Sequence, residues 1–181
     1  ELPFVGLSAT PWARGMAEDW DDLITPVTMQ ALIDAGFLSP FRVFAPSHPD
    51  LARVRAVAGD YHEGDLSAVM SENRLVADVV DTWKSLARGL PTLVFAVDRA
   101  HAETLQRRFA AGGVAMGYCD DFTDWVARKT LFDQLAAGNL AGICNVGTLT
   151  TGVDADIRCV VMARPTKSEM LFVQCIGRGL R

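Results

Sequence analysis

From residue 92 onward, apolar runs and helical stripes alternate along the chain. Residues 92–97 (TLVFAV) predict a buried strand. Residues 99–111 carry Ala102, Leu105 and Phe109 at helical spacing, and residues 114–119 predict a second strand behind Gly112-Gly113. Residues 124–137 then show a stripe of Val126, Leu131 and Leu135 ended by Gly138-Asn139. Residues 141–146 and 157–163 read as two further strands, the second stopped by Pro165. Residues 168–176 open on an N-cap serine followed by Glu169 and then turn apolar. Strand and helix in turn is the pattern of a mostly parallel sheet with helices on both faces, here of five or six strands.

The first half is less regular. Residues 2–7 form a short apolar strand candidate ending in Gly6-Leu7-Ser8-Ala9-Thr10-Pro11, and the stretch to Asp22 reads as loop. Residues 28–35 predict a short helix, and residues 42–45, between Pro40 and Pro46, a short edge strand. Residues 75–87 predict an amphipathic helix with Leu75, Val79, Val80, Trp83 and Leu86 on one face. His101, Trp12, Trp20, Trp83 and Trp125 offer stacking surfaces for bases, but Trp83 and Trp125 both sit on helical stripes and are expected in the core.

A chain of 181 residues holds one substantial domain, or one domain plus a piece of a neighbour, but not two full α/β domains, and the one-domain reading comes first. Half of it is apolar and 22% is charged, which excludes a disordered tail as its main content. Seventeen basic against 22 acidic residues leave a net charge of −5, so any nucleic-acid contact must be local rather than a bulk electrostatic coat. The four cysteines form no CxxC pair and three lie in apolar runs, as reduced thiols of a cytoplasmic protein would. His48, His62 and His101 are isolated, so no metal site is expected. The central apolar run, residues 93–97, is far short of the roughly 20 residues of a membrane span, and a soluble protein is expected. Residue 1 is Glu with no secretory signal behind it, which suggests a piece of a longer protein.

The most informative segment is residues 174–181, QCIGRGLR. If the helix begun at Ser168 continues, Gln174, Arg178 and Arg181 leave one face at i, i+4 and i+7, while Leu171, Phe172, Cys175 and Ile176 serve the core. A solvated face is the plain alternative. Guanidinium groups, fixed in charge and forked in shape, are preferred partners of phosphate oxygens.

QCIGRGLR resembles the QxxGRxxR motif VI of superfamily 2 helicases. GTLTTGVD (147–154) resembles their motif V, Ser8-Ala9-Thr10 their motif III and residues 92–109 their motif IV. Residues 22–46 resemble the linker entering the second RecA-like domain in the DEAD/DEAH-type branch near type III restriction subunits. The resemblance implies an α/β, RecA-like fold. Residues 1–40 would be the end of a first RecA-like domain and the linker, and residues 41–181 the second, C-terminal domain, cut short of its final strand.

The function so implied is that of the C-terminal motor domain of an ATP-dependent DNA helicase or translocase. Arg178 resembles the arginine finger and Arg181 the second phosphate-facing arginine, with Gln174 near the same cleft. Gly152 and Asp154 match the motif V pair, the glycine allowing close backbone approach and the carboxylate facing the ribose or a motif VI arginine. Arg99, Thr148 and Thr150 would meet a nucleic-acid backbone, DNA before RNA, and Ser8 and Thr10 would couple the two domains. An ordinary serine/threonine turn is the rival at Thr148–Thr151, a solvated helical arginine at Arg99, a capped turn before Pro11 at Ser8 and Thr10, and an ordinary turn acid at Asp154.

The sequence has no GxxxxGK[ST] phosphate loop and no DExH box, so ATP and Mg²⁺ would be held mainly by the first domain, and this piece alone should not hydrolyse ATP. Two departures from the family stand out. Ala96, Val97 and Asp98 replace hydroxyl residues, and Asp120-Asp121 fall where many relatives carry His-Gly and would repel a phosphate. The alternative is a degenerate RecA-like module that binds nucleic acid or protein without ATPase activity. A sugar-phosphate enzyme is disfavoured, because Asp98-Arg99-Ala100-His101 rather than glycines follow the strand at 92–97.

Overall fold

The computed structural model describes residues 4–8, 10–11, 15–150 and 154–180. Up to residue 50 the described residues form two short helices, α1 (Met16–Asp19) and α2 (Met29–Asp34), the latter capped by Thr28 Oγ1, which accepts from Ala31 N at 3.2 Å. A hairpin of β1 (Ala56–Val57) and β2 (Asp60–Tyr61) follows, then α3 (Glu63–Met70) and α4 (Asn73–Leu86).

The alternating half begins with β3 (Thr92–Phe95), α5 (Arg99–Ala111), β4 (Met116–Cys119) and α6 (Trp125–Ala136). It continues with β5 (Gly142–Asn145), β6 (Cys159–Met162) and α7 (Glu169–Ile176), which tightens into a 3₁₀ turn at Gly177–Gly179. Asp98, Asp124 and Ser168 cap α5, α6 and α7, each side chain accepting from a backbone N–H three residues on.

Strands β3 to β6 pair in the order β4-β5-β3-β6, every pair parallel. Val76, Val80 and Trp83 of α4 and Ala102, Leu105 and Phe109 of α5 cover one face of the sheet. Leu135 of α6 and Cys175 of α7 cover the other, with Leu149 and Ile157 from the segment between β5 and β6. The Trp83 indole donates to Thr92 Oγ1 at 2.8 Å and meets Phe109 edge-on at 5.4 Å, fixing α4 against both β3 and α5.

The α/β class and the helices on both faces are as the pattern predicts. The sheet has four strands among the described residues rather than five or six, because residues 42–45 and 4–7 pair with nothing described there. Phe4, Leu7 and Val43 are 86%, 94% and 72% exposed, and among the described residues the apolar clusters of the core contain none before Leu51.

Several placements differ from the stripes. Val76 rather than Leu86 faces the core on α4, with Leu86 half exposed. Trp125 and Val126, expected inside, are 74% and 67% exposed, because α6 meets the sheet through its C-terminal half, at Leu131 and Leu135. Phe172 is 42% exposed on α7.

Candidate functional site

A crevice opens at the carboxyl ends of the strands. The loop leaving β3 leads to α5 on one face, whereas the segment leaving the adjacent β5 packs Leu149 on the other. Neighbouring loops that diverge to opposite faces leave a gap between them, the usual ligand position of open α/β sheets. Here the gap is about 560 Å³ and is lined by Asp98, Arg99, Asp121, Gly147, Thr148 and Arg164, among others. Gly147, with φ of 66°, turns the chain directly after β5 in a conformation that side chains rarely adopt.

Two of the sequence-derived nucleic-acid candidates, Arg99 and Thr148, therefore line one cavity. Arg99 is already engaged: its Nε lies 3.1 Å from Asp120 Oδ2, a terminal nitrogen lies 2.7 Å from Asp121 Oδ1, and the guanidinium sits 4.0 Å over the Phe122 ring. The two acids that departed from the family pattern thus hold this arginine. Thr148 Oγ1 lies 3.7 Å from Cys119 Sγ, and Thr150 Oγ1 donates to Gly147 O at 3.5 Å, closing a serine/threonine-type turn.

Arg164 was not singled out from the sequence. The signal available was an arginine at the end of the strand at 157–163, immediately before Pro165. Its Nε is buried without a hydrogen-bond partner among the described residues, and its charge reaches both Asp60 and Cys175. Asp60 organises this loop, its carboxylate accepting from Thr166 Oγ1 and Lys167 N, each at 2.7 Å. Burial pushes the Asp60 carboxyl up, but the donors from Lys167, Thr166 and Tyr61 outweigh it and hold the group below the usual carboxylate range.

The second assembly lies around α7. Gln174 Nε2 donates to Thr10 Oγ1 at 3.1 Å, and Thr10, only 6% exposed, is steadied by its own N–H donating to Ser8 Oγ at 3.1 Å. The Ser39 N–H donates to Leu180 O at 2.8 Å, tying the segment after α2 to the same end of the domain. The regular helix ends at Ile176: Gly177 and Gly179 weaken it, and the chain tightens to 3₁₀ there. Gln174 and Arg178 are half-buried rather than turned fully outward. Burial pushes the Cys175 thiol up to about 12 although Arg164 and Arg178 act on it in the opposite sense, which puts both guanidiniums within electrostatic reach of one buried sulfur.

Asp154 is exposed, whereas Gly152, Thr151, Ala9 and Arg181 lie outside the described residues. Among the described residues no group of three or more His, Cys, Asp or Glu side chains is placed to hold a metal ion. No helix among them is long and apolar enough to cross a membrane.

No known protein-family profile matches the chain. Among curated proteins it is similar over its whole length to the "Putative ATP-dependent helicase IRC3" of Saccharomyces cerevisiae, at 29% identity over 189 aligned residues and covering 27% of that protein. It is likewise similar to a 51.5 kDa protein of a Lactococcus phage, at 26% identity over 185 residues and 41% of that protein. The chain thus spans between about a quarter and two fifths of the length of these relatives. Among solved structures, the yeast DEAD-box splicing factor Prp28 superposes with a TM-score of 0.51 at 15% identity, covering 57% of this chain and 24% of that one. The chain is thus similar in sequence to a putative ATP-dependent helicase and shares an α/β, RecA-like fold with part of a DEAD-box protein.

Proposed function

We propose that the chain is the C-terminal motor domain of an ATP-dependent DNA helicase or translocase. In this reading residues 1–40 come from the first RecA-like domain and the linker, in keeping with the exposed side chains of Phe4, Val5, Leu7, Ile24 and Phe37 and with the absence of any described residue of this stretch from the core clusters. Arg178 and Arg181 would act on the nucleotide, with Gln174, Gly152 and Asp154 at the same cleft. The strand-end crevice, with Arg99 and Thr148 in its lining and Thr150 on the turn after Gly147, takes the nucleic-acid backbone.

The observation that carries the proposal is the Gln174–Thr10 hydrogen bond, which joins the motif VI-like helix to the motif III-like turn. A motor that hydrolyses ATP between two domains needs such a joint, so that closure delivers the arginine and release withdraws it. A half-buried guanidinium on a 3₁₀ turn fits a polyphosphate by charge and by fork geometry. ATP with Mg²⁺ supplies a phosphoryl group that gathers charge on its equatorial oxygens. Held against them, Arg178 would contribute on the order of 10³ to 10⁵ in rate.

The test is ATP turnover by the full-length protein with and without single-stranded DNA or RNA. Stimulation by nucleic acid, stronger with DNA, is expected. Nucleic-acid binding with no turnover would favour a degenerate binding module instead.

A further inference from the structure

The β1–β2 hairpin pairs with no strand of the main sheet among the described residues, yet it reaches across 106 positions of sequence to the loop that starts α7. Its turn is tight. Ala58 and Gly59 take φ of 51° and 90°, the paired left-handed residues of a two-residue hairpin, a conformation uncommon for an alanine. Its base is tied to α3, where the Asp65 carboxylate accepts from Arg55 Nε at 2.7 Å and from a terminal Arg55 nitrogen at 2.9 Å. Leu66 and Met70 of α3 are buried with Val54 and with Val97, just beyond the end of β3.

The hairpin so mounted presents Asp60 to the α7 loop. The Asp60 carboxylate accepts from Thr166 Oγ1 and Lys167 N, each at 2.7 Å, and Lys167 Nζ stands 4.7 Å from the centre of the Tyr61 ring. Hydrogen bonds run on from there into the helix: Thr166 Oγ1 accepts from Ser168 N at 3.0 Å, and Ser168 Oγ accepts from Leu171 N at 3.2 Å. The helix is eight residues, about 12 Å long. Gln174 near its end carries the bond to Thr10, and Arg178 follows on the 3₁₀ turn. A short helix fixed at its first turn moves as one piece with its domain. With that turn slack it would pivot about Cys175 in the core, and a pull through Gln174 would be lost in the pivot.

We infer that Asp60 is a positioning residue for ATP hydrolysis: through Thr166 and Ser168 it fixes the first turn of α7 and so sets where Arg178 stands when the domains close. The inference rests on the motor reading above and adds to it a residue far from QCIGRGLR in sequence, which acts through Arg178 and touches no nucleotide. Misplacing a reacting group by about 1 Å can cost on the order of 10²-fold in rate, so a loosened α7 slows the chemical step rather than ATP binding.

The experiment uses the full-length protein in excess over radiolabelled ATP with saturating single-stranded DNA, below the temperature at which any variant begins to melt. The rate at saturating enzyme reports hydrolysis of bound ATP, and the enzyme concentration for half that rate reports ATP affinity. Asp60→Ala should slow hydrolysis about 10-fold with ATP affinity little changed. Asp60→Asn should recover most of the rate, because its Oδ1 can accept from Lys167 N and its amide can donate to Thr166 Oγ1. In the Arg178→Ala background, adding Asp60→Ala should cost less than about 2-fold more, since the group being positioned is gone. An unchanged rate in folded Asp60→Ala protein, or the same fold loss in both backgrounds, overturns the inference and leaves the motor reading intact. No hydrolysis by the wild type, or a wild-type rate in Arg178→Ala, overturns both.

Discussion

Gln174 on α7 donates its side-chain amide to the hydroxyl of Thr10 at 3.1 Å, joining two residues 164 positions apart in the chain. Thr10 is nearly buried, so losing one partner strands a polar group of the other in a shielded place. Gln174→Ala and Thr10→Val should each lower nucleic-acid-stimulated ATP turnover of the full-length protein by about 5-fold, the worth of a hydrogen bond of about 1 kcal/mol. The double variant should be little worse than either single one. Fully additive losses would show that the two side chains do not act as one joint.

His101 is almost fully buried at the start of α5, where its Nδ1 accepts from Val97 N at 3.2 Å. Burial lowers its pKa to about 4 from 6.5, only partly opposed by Asp98, so the folded state keeps it neutral. As pH falls below 6.5 the unfolded chain takes up the proton first, and this contribution to stability is lost progressively down to about 4. Each pH unit in that window should cost about 1.4 kcal/mol in urea unfolding. In His101→Asn, whose Oδ1 can accept the same N–H, this part of the acid dependence should vanish. An identical pH slope in the variant would contradict the assignment.

Gly142 begins β5 between two parallel neighbours. A Cβ there would fall 2.6 Å from Thr92 O and 2.9 Å from Thr92 Cβ, and neither backbone nor a packed β3 residue can yield cheaply. Gly142→Ala should destabilise the domain by about 2 kcal/mol or more, as overpacking at a rigid site does. A melting temperature equal to the wild type would show that the β3–β5 register is not as described.

Asp60 holds the Thr166–Lys167 turn that separates Arg164 from α7. Its carboxyl is held below the usual range, so its stabilising effect is present above the unfolded-state pKa and fades only in strong acid. Asp60→Ala should lower stability by about 1–2 kcal/mol and weaken single-strand binding, with Asp60→Asn recovering part of both. Chemical denaturation beside oligonucleotide titration tests this, and unchanged binding in Asp60→Ala would separate the turn from the crevice.

Much of the alternating half was legible because each of its elements carries a signal of its own. The helix at residues 99–111 has a capping aspartate before it and Gly112 behind it, and its sequence-derived bounds are those of α5. The four parallel strands are short apolar runs bounded by glycine, proline or a cap. Trp125 shows the limit of this approach. Periodicity finds a helix face but does not say how far along the helix the sheet extends, and α6 reaches beyond its support. The β1–β2 hairpin and α3 were missed: the strands are only two residues long, and α3 is capped by His62, a residue seldom found in that place. Arg164 escaped notice because its role comes from lying at the carboxyl end of β6, a matter of topology rather than of local pattern.

The most direct test of the central claim is ATP turnover of the full-length Arg178→Ala and Arg178→Lys variants at saturating ATP and single-stranded DNA. Arg178 is half-buried on its 3₁₀ turn, so truncation should cost on the order of 1 kcal/mol in stability, and melting serves as the control. Turnover should fall by roughly two orders of magnitude or more in Arg178→Ala with ATP binding little changed, and lysine should rescue poorly because it lacks the fork. Unchanged turnover in folded Arg178→Ala protein would contradict the account and leave only the fold.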